Sequence, residues 1–321
     1  MRFNFAFALR SESRSAMSVV PLTVLDDPRL EPYRHLKFTN EMNRSGLFVA
    51  EGDKLARRLL CSGLRVHSVL VGERFLASGA LEIAPTVTTF VMPDALLQEL
   101  VGFKFHRGVL ACGYRGTEPL LSEVMSRHGV SYLRPGEQAS RLLSPHGTSA
   151  GSKVAHGTTA VVVCVNIEDP TNLGTILRTA EAFGVTAVLL GGHTADPFSR
   201  RVLRVSMGSP FQLPIVHCSD LSRDLTALRD DWRISLIGAV ADSTGEPLEQ
   251  VVGLDRFALL LGNESEGLGP EWIAHCDRRV TIPMQPRADS LNVAVATGIL
   301  LHHFCELPQR GETSNLMYNS E

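Results

Sequence analysis

Apolar residues fall into short β-type runs separated by stretches of helical period, in two blocks with a gap between them. In the first block, from about Asp26 to Arg115, LFVAEGDKLARRLLCSGLRVHSVLVG predicts strand, helix, strand. Leu47, Phe48 and Val49 are apolar. Leu55, Leu59 and Leu60 recur at helical spacing, Gly63 closes the helix, and Val66 to Val71 resume a strand. TTFVMPDALLQELVG predicts a strand, then a helix opened by Pro93 and Asp94, and GVLACGYR predicts a last strand. From Thr117 to Gly157 the pattern fades into Ser, Gly, His and Pro, which predicts a linker with one short helix at Leu120 to Arg127. From Thr158 the apolar runs TTAVVVCV, AVLLGG, SLIGAV and FALLLG return. Helical runs lie between them at Thr175 to Phe183, Ser199 to Gly208 and Leu221 to Asp230, and a last one at Val293 to Cys305. Strands alternating with helices of this length predict a parallel sheet covered on both faces.

A chain of 321 residues exceeds the roughly 250–300 at which single cores stop growing, so two domains are expected. The formal net charge of −3 gives no global nucleic-acid signal, so any RNA contact must come from a local basic patch. Six cysteines, none in a C-x-x-C pair and most in apolar runs, fit reduced core thiols of a cytosolic protein. No apolar run reaches the roughly 18 residues that span a bilayer. No His, Asp or Glu cluster has metal-ligand spacing, and His302 and His303 read as ordinary helix residues. MRFNFAFALRSESRSAM is rich in Arg and Ser and nearly free of acids. It suits either a mitochondrial transit peptide or a structureless extension ahead of Met17, and the second is the expectation here. The expected organisation is a structureless extension at 1–23, a small α/β domain at 24–116, a linker at 117–157, a larger α/β domain at 158–310 and a structureless tail at 311–321.

Ligands of parallel sheets gather at the carboxyl ends of the strands, and three such ends here are unusually polar. The first is NIEDPTNLGTILRTAEAFG, from Asn166. It puts Asn172 and Gly174 near a predicted helix start and Arg178 six residues after Asn172. These residues alone leave two readings open: an anion or polar edge at free N–H groups, or Asn172 as a cap and Arg178 as a solvated charge. The second is LLLGNESEGLGPEW. Its glycines keep a turn tight, but no G-x-G-x-x-G follows a strand, which argues against a nicotinamide cofactor. The third is VTIPMQPRADSLNVAVATGILLHHF, where a strand at Val280 to Met284 leads through two prolines to Ser290, Leu291 and Asn292 at a helix start.

Together the three loops resemble the SpoU (TrmH-like) family of RNA ribose 2′-O-methyltransferases, of the SPOUT superfamily. NIEDPTNLGTILRTAEAFG is similar to the family's first motif, LLLGNESEGL to its second and IPMQPRADSLNVAVATG to its third. DPFSRRVLRVSMGSPFQLPI, with Arg204, Ser206 and Gly208, is similar to the segment between the first two. Ser265 stands where the family often has Gly, and RAD precedes Ser290 where a Val-Glu pair is more usual. FVAEGDKLARRLL and the strands after it resemble the family's small substrate-binding domain, which is similar to ribosomal protein L30e.

The resemblance implies a deep trefoil knot in an α/β domain, an L30e-like first domain, and homodimerisation through the C-terminal domain. It implies S-adenosylmethionine held by Leu261, Gly262, Ile282, Met284, Leu291 and Asn292. Catalytic roles fall to Asn172, Arg178, Glu264, Ser290 and Asn292. Asn172 and Ser290 would orient Arg178 or the ribose, Glu264 would position Asn172, Arg178 or the dimer-related loop, and Asn292 would support cofactor and loop. RNA contact is expected from Lys54, Arg57, Arg58, Lys104, His106, Arg107, Arg200, Arg201 and Arg204. The expected activity is methylation of a ribose 2′-hydroxyl in the cytoplasm, in ribosomal RNA first and transfer RNA second. The alternative is an RNA-binding protein that has lost the activity.

Overall fold

The computed structural model describes residues 19–34, 46–102, 108–128, 158–242, 244–251, 254–285 and 287–305. The chain divides into two compact units after Arg115. The expected tail at 311–321, most of the expected linker, and Lys104, His106 and Arg107 lie outside the described residues.

The first unit is a five-stranded sheet in the order β1-β4-β3-β5-β2. Its strands are β1 (Val19–Pro21), β2 (Leu47–Glu51), β3 (Val66–Gly72), β4 (Thr89–Met92) and β5 (Val109–Tyr114). β1, β3 and β4 run parallel, and β5 runs antiparallel to β2 and β3. The helices are α1 (Glu31–Arg34), α2 (Asp53–Leu60), α3 (Glu73–Ser78) and α4 (Asp94–Val101). In α2 the apolar positions Leu55, Ala56 and Leu59 are buried, and Lys54 and Arg57 are left exposed. Strand β1 corrects the expected structureless extension, which was drawn through residue 23. Three residues beside β4 carry too little periodicity to stand out in sequence.

The second unit opens with α5 (Leu121–Arg127), whose Leu121, Val124 and Met125 are buried in its core; this is the short helix expected in the linker. The seven strands of the sheet are β6 (Thr159–Cys164), β7 (Ala187–Leu190), β8 (Ile215–His217), β9 (Ser235–Ala239), β10 (Glu246–Pro247), β11 (Arg256–Leu261) and β12 (Arg278–Thr281). All pair in parallel, in the order β10-β12-β9-β11-β6-β7-β8. The helices are α6 (Pro170–Ala182), α7 (Arg200–Val205), α8 (Leu221–Trp232), α9 (Pro270–His275) and α10 (Val293–Phe304). Two clusters of buried apolar residues cover the two faces of this sheet, so β6 and β11 are near-continuous apolar runs. Cys164 lies in this core, where burial pushes its thiol up to about 12, as expected of an inert structural cysteine.

Two helix starts differ from the sequence reading. α6 begins at Pro170 rather than Thr175, because the Asp169 carboxylate accepts from the Thr171 and Asn172 N–H groups and Pro170 supplies a preset φ at the first position. Asn172 therefore sits inside the first turn and is not the cap. β12 ends at Thr281, so Ile282 and Met284 belong to a loop and not to the strand drawn through Met284. Gly174 is required by close packing: a Cβ there would stand 2.8 Å from Cβ of Val205, where α6 meets α7.

Candidate functional site

β12, β9, β11 and β6 are neighbours in the sheet and run in the same direction, so their carboxyl ends open along one edge. The loops that leave them enclose a cavity of about 580 Å³. Its apolar wall comes from Leu261, Leu268, Ile282, Met284 and Leu300, and its polar rim from Asn172, Asp242, Glu264, Ser290 and Asn292.

The loop after β11 folds back on itself. Asn263 N–H donates to the Gly267 carbonyl (3.1 Å), and Gly267 N–H donates to the Asn263 carbonyl (2.8 Å). This reversal presses Gly267 and Leu268 against Gly262 so closely that any Cβ at 262 would collide with their backbone. Gly267 has φ +68°, in the left-handed region that favours glycine. The Asn263 side chain ties this loop to the first one: its Nδ2 donates to the Asn166 carbonyl at 3.0 Å, and Asn166 holds φ +55°. That conformation is uncommon outside glycine but is tolerated by Asn.

The centre of the rim is the Asn172 carboxamide. Its Nδ2 donates to Glu264 Oε1 at 2.9 Å, and its Oδ1 accepts from Asn292 Nδ2 at 2.9 Å. Asn292 is also the N-cap of α10, its Oδ1 accepting from the Ala294 and Val295 N–H groups at 3.0 and 3.3 Å. Asp169, the N-cap of α6, donates its own N–H to the same Glu264 oxygen at 3.3 Å. Chemistry fixes the direction of this chain from both ends. A carboxylate only accepts and backbone N–H groups only donate, so neither amide can be turned over without losing bonds. One side chain thus joins the loops after β6, β11 and β12. The members are half-exposed to exposed. Each bond is then worth no more than about 0.5–1.5 kcal/mol net, and its effect is to order the loops rather than to hold the fold.

Asn172, Glu264, Ser290 and Asn292, and all six residues the resemblance assigns to a cofactor, line this one cavity. Arg178 does not line it. Six residues at about 100° each turn its side chain roughly 120° away from Asn172 and carry it about 9 Å up α6. It is exposed and makes no hydrogen bond or ion pair to the described residues. The resemblance groups Arg178 with Asn172 in one catalytic set, but within one chain Arg178 stands apart from the cavity. Arg201 extends the rim, its Nε and Nη2 donating to Thr171 Oγ1 at 3.3 Å, with Arg200 and Arg204 on the same short helix. Lys54, Arg57 and Arg58 lie in the first unit on α2, where Arg57 donates to the Ala80 carbonyl. The sequence reading missed Asp169, Asn166, Asn263 and the cavity-lining stretch Ala239 to Asp242. The last was legible: SLIGAV predicts a strand, and the rule about carboxyl ends applies to the ADST that follows it as well. Among the described residues, no three His, Cys, Asp or Glu side chains are grouped as metal ligands would be.

Residues 159–302 match the model of the SpoU rRNA methylase family. The chain is 29% identical to an uncharacterized tRNA/rRNA methyltransferase of Mycobacterium tuberculosis, over 86% of this chain and 88% of that protein. It is 37% identical to a 23S rRNA (guanosine-2′-O)-methyltransferase of Bacillus subtilis, over 43% of this chain and 54% of that one. Among solved structures it resembles the SpoU methyltransferase AviRb of Streptomyces viridochromogenes in complex with AdoMet. The TM-score is 0.66 at 25% identity, covering 86% of this chain and 96% of AviRb.

The fixed polarity at Asn172 has a test. Asn172→Asp keeps the shape but sets one carboxylate against another, which holds the pair's proton affinity above the ordinary carboxylate range. Because the raised pKa is in the folded state, the penalty relative to wild type is full at neutral pH. It fades as pH falls through the raised value toward about 4. The variant should melt about 2–4 °C below wild type at pH 7.5 and converge on it near pH 4. A deficit independent of pH, or none, would contradict the assigned bond directions.

Proposed function

We propose, from the match of residues 159–302 to the model of the SpoU rRNA methylase family, that the protein transfers a methyl group from S-adenosylmethionine to a ribose 2′-hydroxyl of RNA. Ribosomal RNA is the first-choice substrate and transfer RNA the second. The observation that carries the reading is the convergence of three polar loops, through the Asn172 carboxamide, on a single cavity.

The cavity suits the cofactor. About 580 Å³ lies within the range of small-molecule sites. Leu261, Ile282, Met284 and Leu300 offer an apolar wall for a flat base, beside Gly262. Among the described residues its lining carries Asp242, Glu264, Glu266 and Asp289 and no Lys, Arg or His, a balance that favours a cationic sulfonium over an anionic ligand.

S-adenosylmethionine supplies a methyl group already activated by positive sulfur, so the residues have to align the ribose oxygen and take care of its proton. Asn172, fixed by Glu264 and Asn292, presents a rigid rim, and Ser290 adds a hydroxyl that makes no hydrogen bond to the described residues. A guanidinium keeps its proton at physiological pH. Arg178 therefore acts by clamping the phosphate beside the target or polarising the hydroxyl, with the proton leaving to a phosphate oxygen or water. Since Arg178 lies outside its own cavity, it serves the site of a second copy in a homodimer. Support comes from Leu291, Val295 and Ile299, which recur at four-residue spacing at the start and along α10 and are 37%, 53% and 39% exposed. α10 packs on α6 beside Arg178, with Gly298 facing Thr179. Arg201 contributes to RNA contact near the rim, and Lys54, Arg57 and Arg58 contribute on the first unit.

We also infer that the second unit is knotted. β11 lies between β6 and β9, yet the chain that follows it goes on to β12 beyond β9 and then returns to lay α10 on α6. The first unit, with its mixed five-stranded sheet and helices, is read as L30e-like.

Tritiated-methyl transfer to total RNA tests the activity. Arg178→Ala should lower incorporation by roughly 100-fold or more while leaving cofactor affinity unchanged, and Arg178→Lys should restore part of the loss only if charge outweighs fork geometry. No incorporation by the wild-type protein into any RNA, despite cofactor binding, would overturn the reading in favour of an inactive RNA-binding protein. By light scattering, the wild-type chain should be dimeric and Val295→Glu monomeric; a monomeric wild type would remove the role given to Arg178.

A further inference from the structure

A stacked group of side chains in the first unit takes no part in the chemistry above. It lies where β3 begins and β5 ends. The Arg65 guanidinium carbon stands 3.7 Å from the centroid of the Tyr114 ring, and the His67 ring is 5.5 Å from the same ring, tilted by 59°. The backbone produces this arrangement. Tyr114 N–H donates to the Arg65 carbonyl at 2.9 Å, which brings the two residues side by side, and the ladder shifts register between Val66 and Ser68.

The group is anchored from the core. His67 Nδ1 shares a 2.8 Å hydrogen bond with Ser68 Oγ, which shares another of 2.7 Å with the hydroxyl of Tyr33. Tyr33 is fully buried and Ser68 nearly so, so the imidazole is oriented by groups that do not move freely. Burial first, and Arg65 second, depress the proton affinity of His67 below its ordinary value, so at neutral pH the ring is uncharged and does not repel the guanidinium. Arg65 itself is exposed, and no carboxylate among the described residues pairs with it. An exposed arginine normally samples many rotamers. Here one face of its planar head is held against an aromatic ring while the head remains without a partner charge.

We propose that Arg65, braced by Tyr114 and His67, is an RNA subsite: one unpaired base stacks on the outer face of the guanidinium, and the N–H groups at its edge donate to an adjoining phosphate. The inference rests on the RNA-methyltransferase reading and assigns that activity a contact on the first unit. Every base presents a π-face, so the subsite selects unpaired geometry rather than sequence, as stacking on arginine planes and aromatic rings does in single-stranded recognition. Neither Arg65, His67 nor Tyr114 stands out by sequence spacing, because the stack is made across strands.

The test uses the full-length protein and a single-stranded RNA of about ten nucleotides carrying 2-aminopurine at its centre, whose fluorescence falls when the base is stacked. Wild type should bind it and quench the probe. Arg65→Lys keeps the charge on an exposed position and leaves the fold intact, yet should bind roughly 5- to 100-fold more weakly and no longer quench. Tyr114→Leu, which removes the brace, should lose quenching as well. Quenching and affinity of Arg65→Lys equal to wild type would overturn the proposal, since charge alone would then suffice. Methylation of total RNA by a wild-type protein that does not quench the probe would overturn the subsite and leave the activity standing. Absence of both RNA binding and methylation would remove the two together.

Discussion

The site depends on one carboxamide whose direction is set from both sides. Asn172 gives its amide hydrogen to Glu264 and its oxygen to Asn292, and Asn292 has its own oxygen committed to the first N–H groups of α10. Each loop leaves a different strand, and the three are far apart in sequence, up to 120 residues between Asn172 and Asn292. Without the bridge, the loops would be independent polar excursions on the carboxyl edge of a parallel sheet. With it, the caps of α6 and α10 and the reversed turn after β11 share one frame. The individual bonds are weak because water competes for exposed groups. Covering the rim with RNA would exclude that water and strengthen them.

The sheet makes this frame possible. β12, β9, β11 and β6 lie side by side and point the same way, so the first, second and third polar loops must meet at one edge. Gly262 and Gly174 mark where backbones and helices approach too closely for a side chain. The same geometry that assembles the cavity turns Arg178 out of it. The exposed arginine and the exposed apolar stripe on the adjacent helix are the observations on which the proposed second copy rests.

Much of this was legible in the sequence. The strands of both units stand out because a buried strand must be apolar and short, and the three polar loops stand out because they interrupt such runs with Asn, Glu and Ser. All the residues assigned to cofactor binding, and four of the five assigned to catalysis, line the one cavity. What the sequence hid has physical reasons. Asp169 took the cap from Asn172 because Pro170 starts the helix earlier than apolar periodicity does. The resemblance groups Arg178 with Asn172 in one role, although six helical residues do not return to the same face. The bond of Asn263 to Asn166 and the stack of Arg65 on Tyr114 join residues distant in the chain, and only the folded backbone brings them together.

The central claim is that Glu264 and Asn292 act on the cofactor cavity through one shared group. A double-mutant cycle measures it, with S-adenosylmethionine affinity by calorimetry for wild type, Glu264→Ala, Asn292→Ser and the double variant; serine retains the helix cap but not the amide donor. Because either change breaks the same chain at Asn172, each single variant should weaken binding and the double variant should be little worse than the weaker single, a coupling of about 1 kcal/mol or more. Losses that simply add, or an affinity that neither variant alters, would contradict the account.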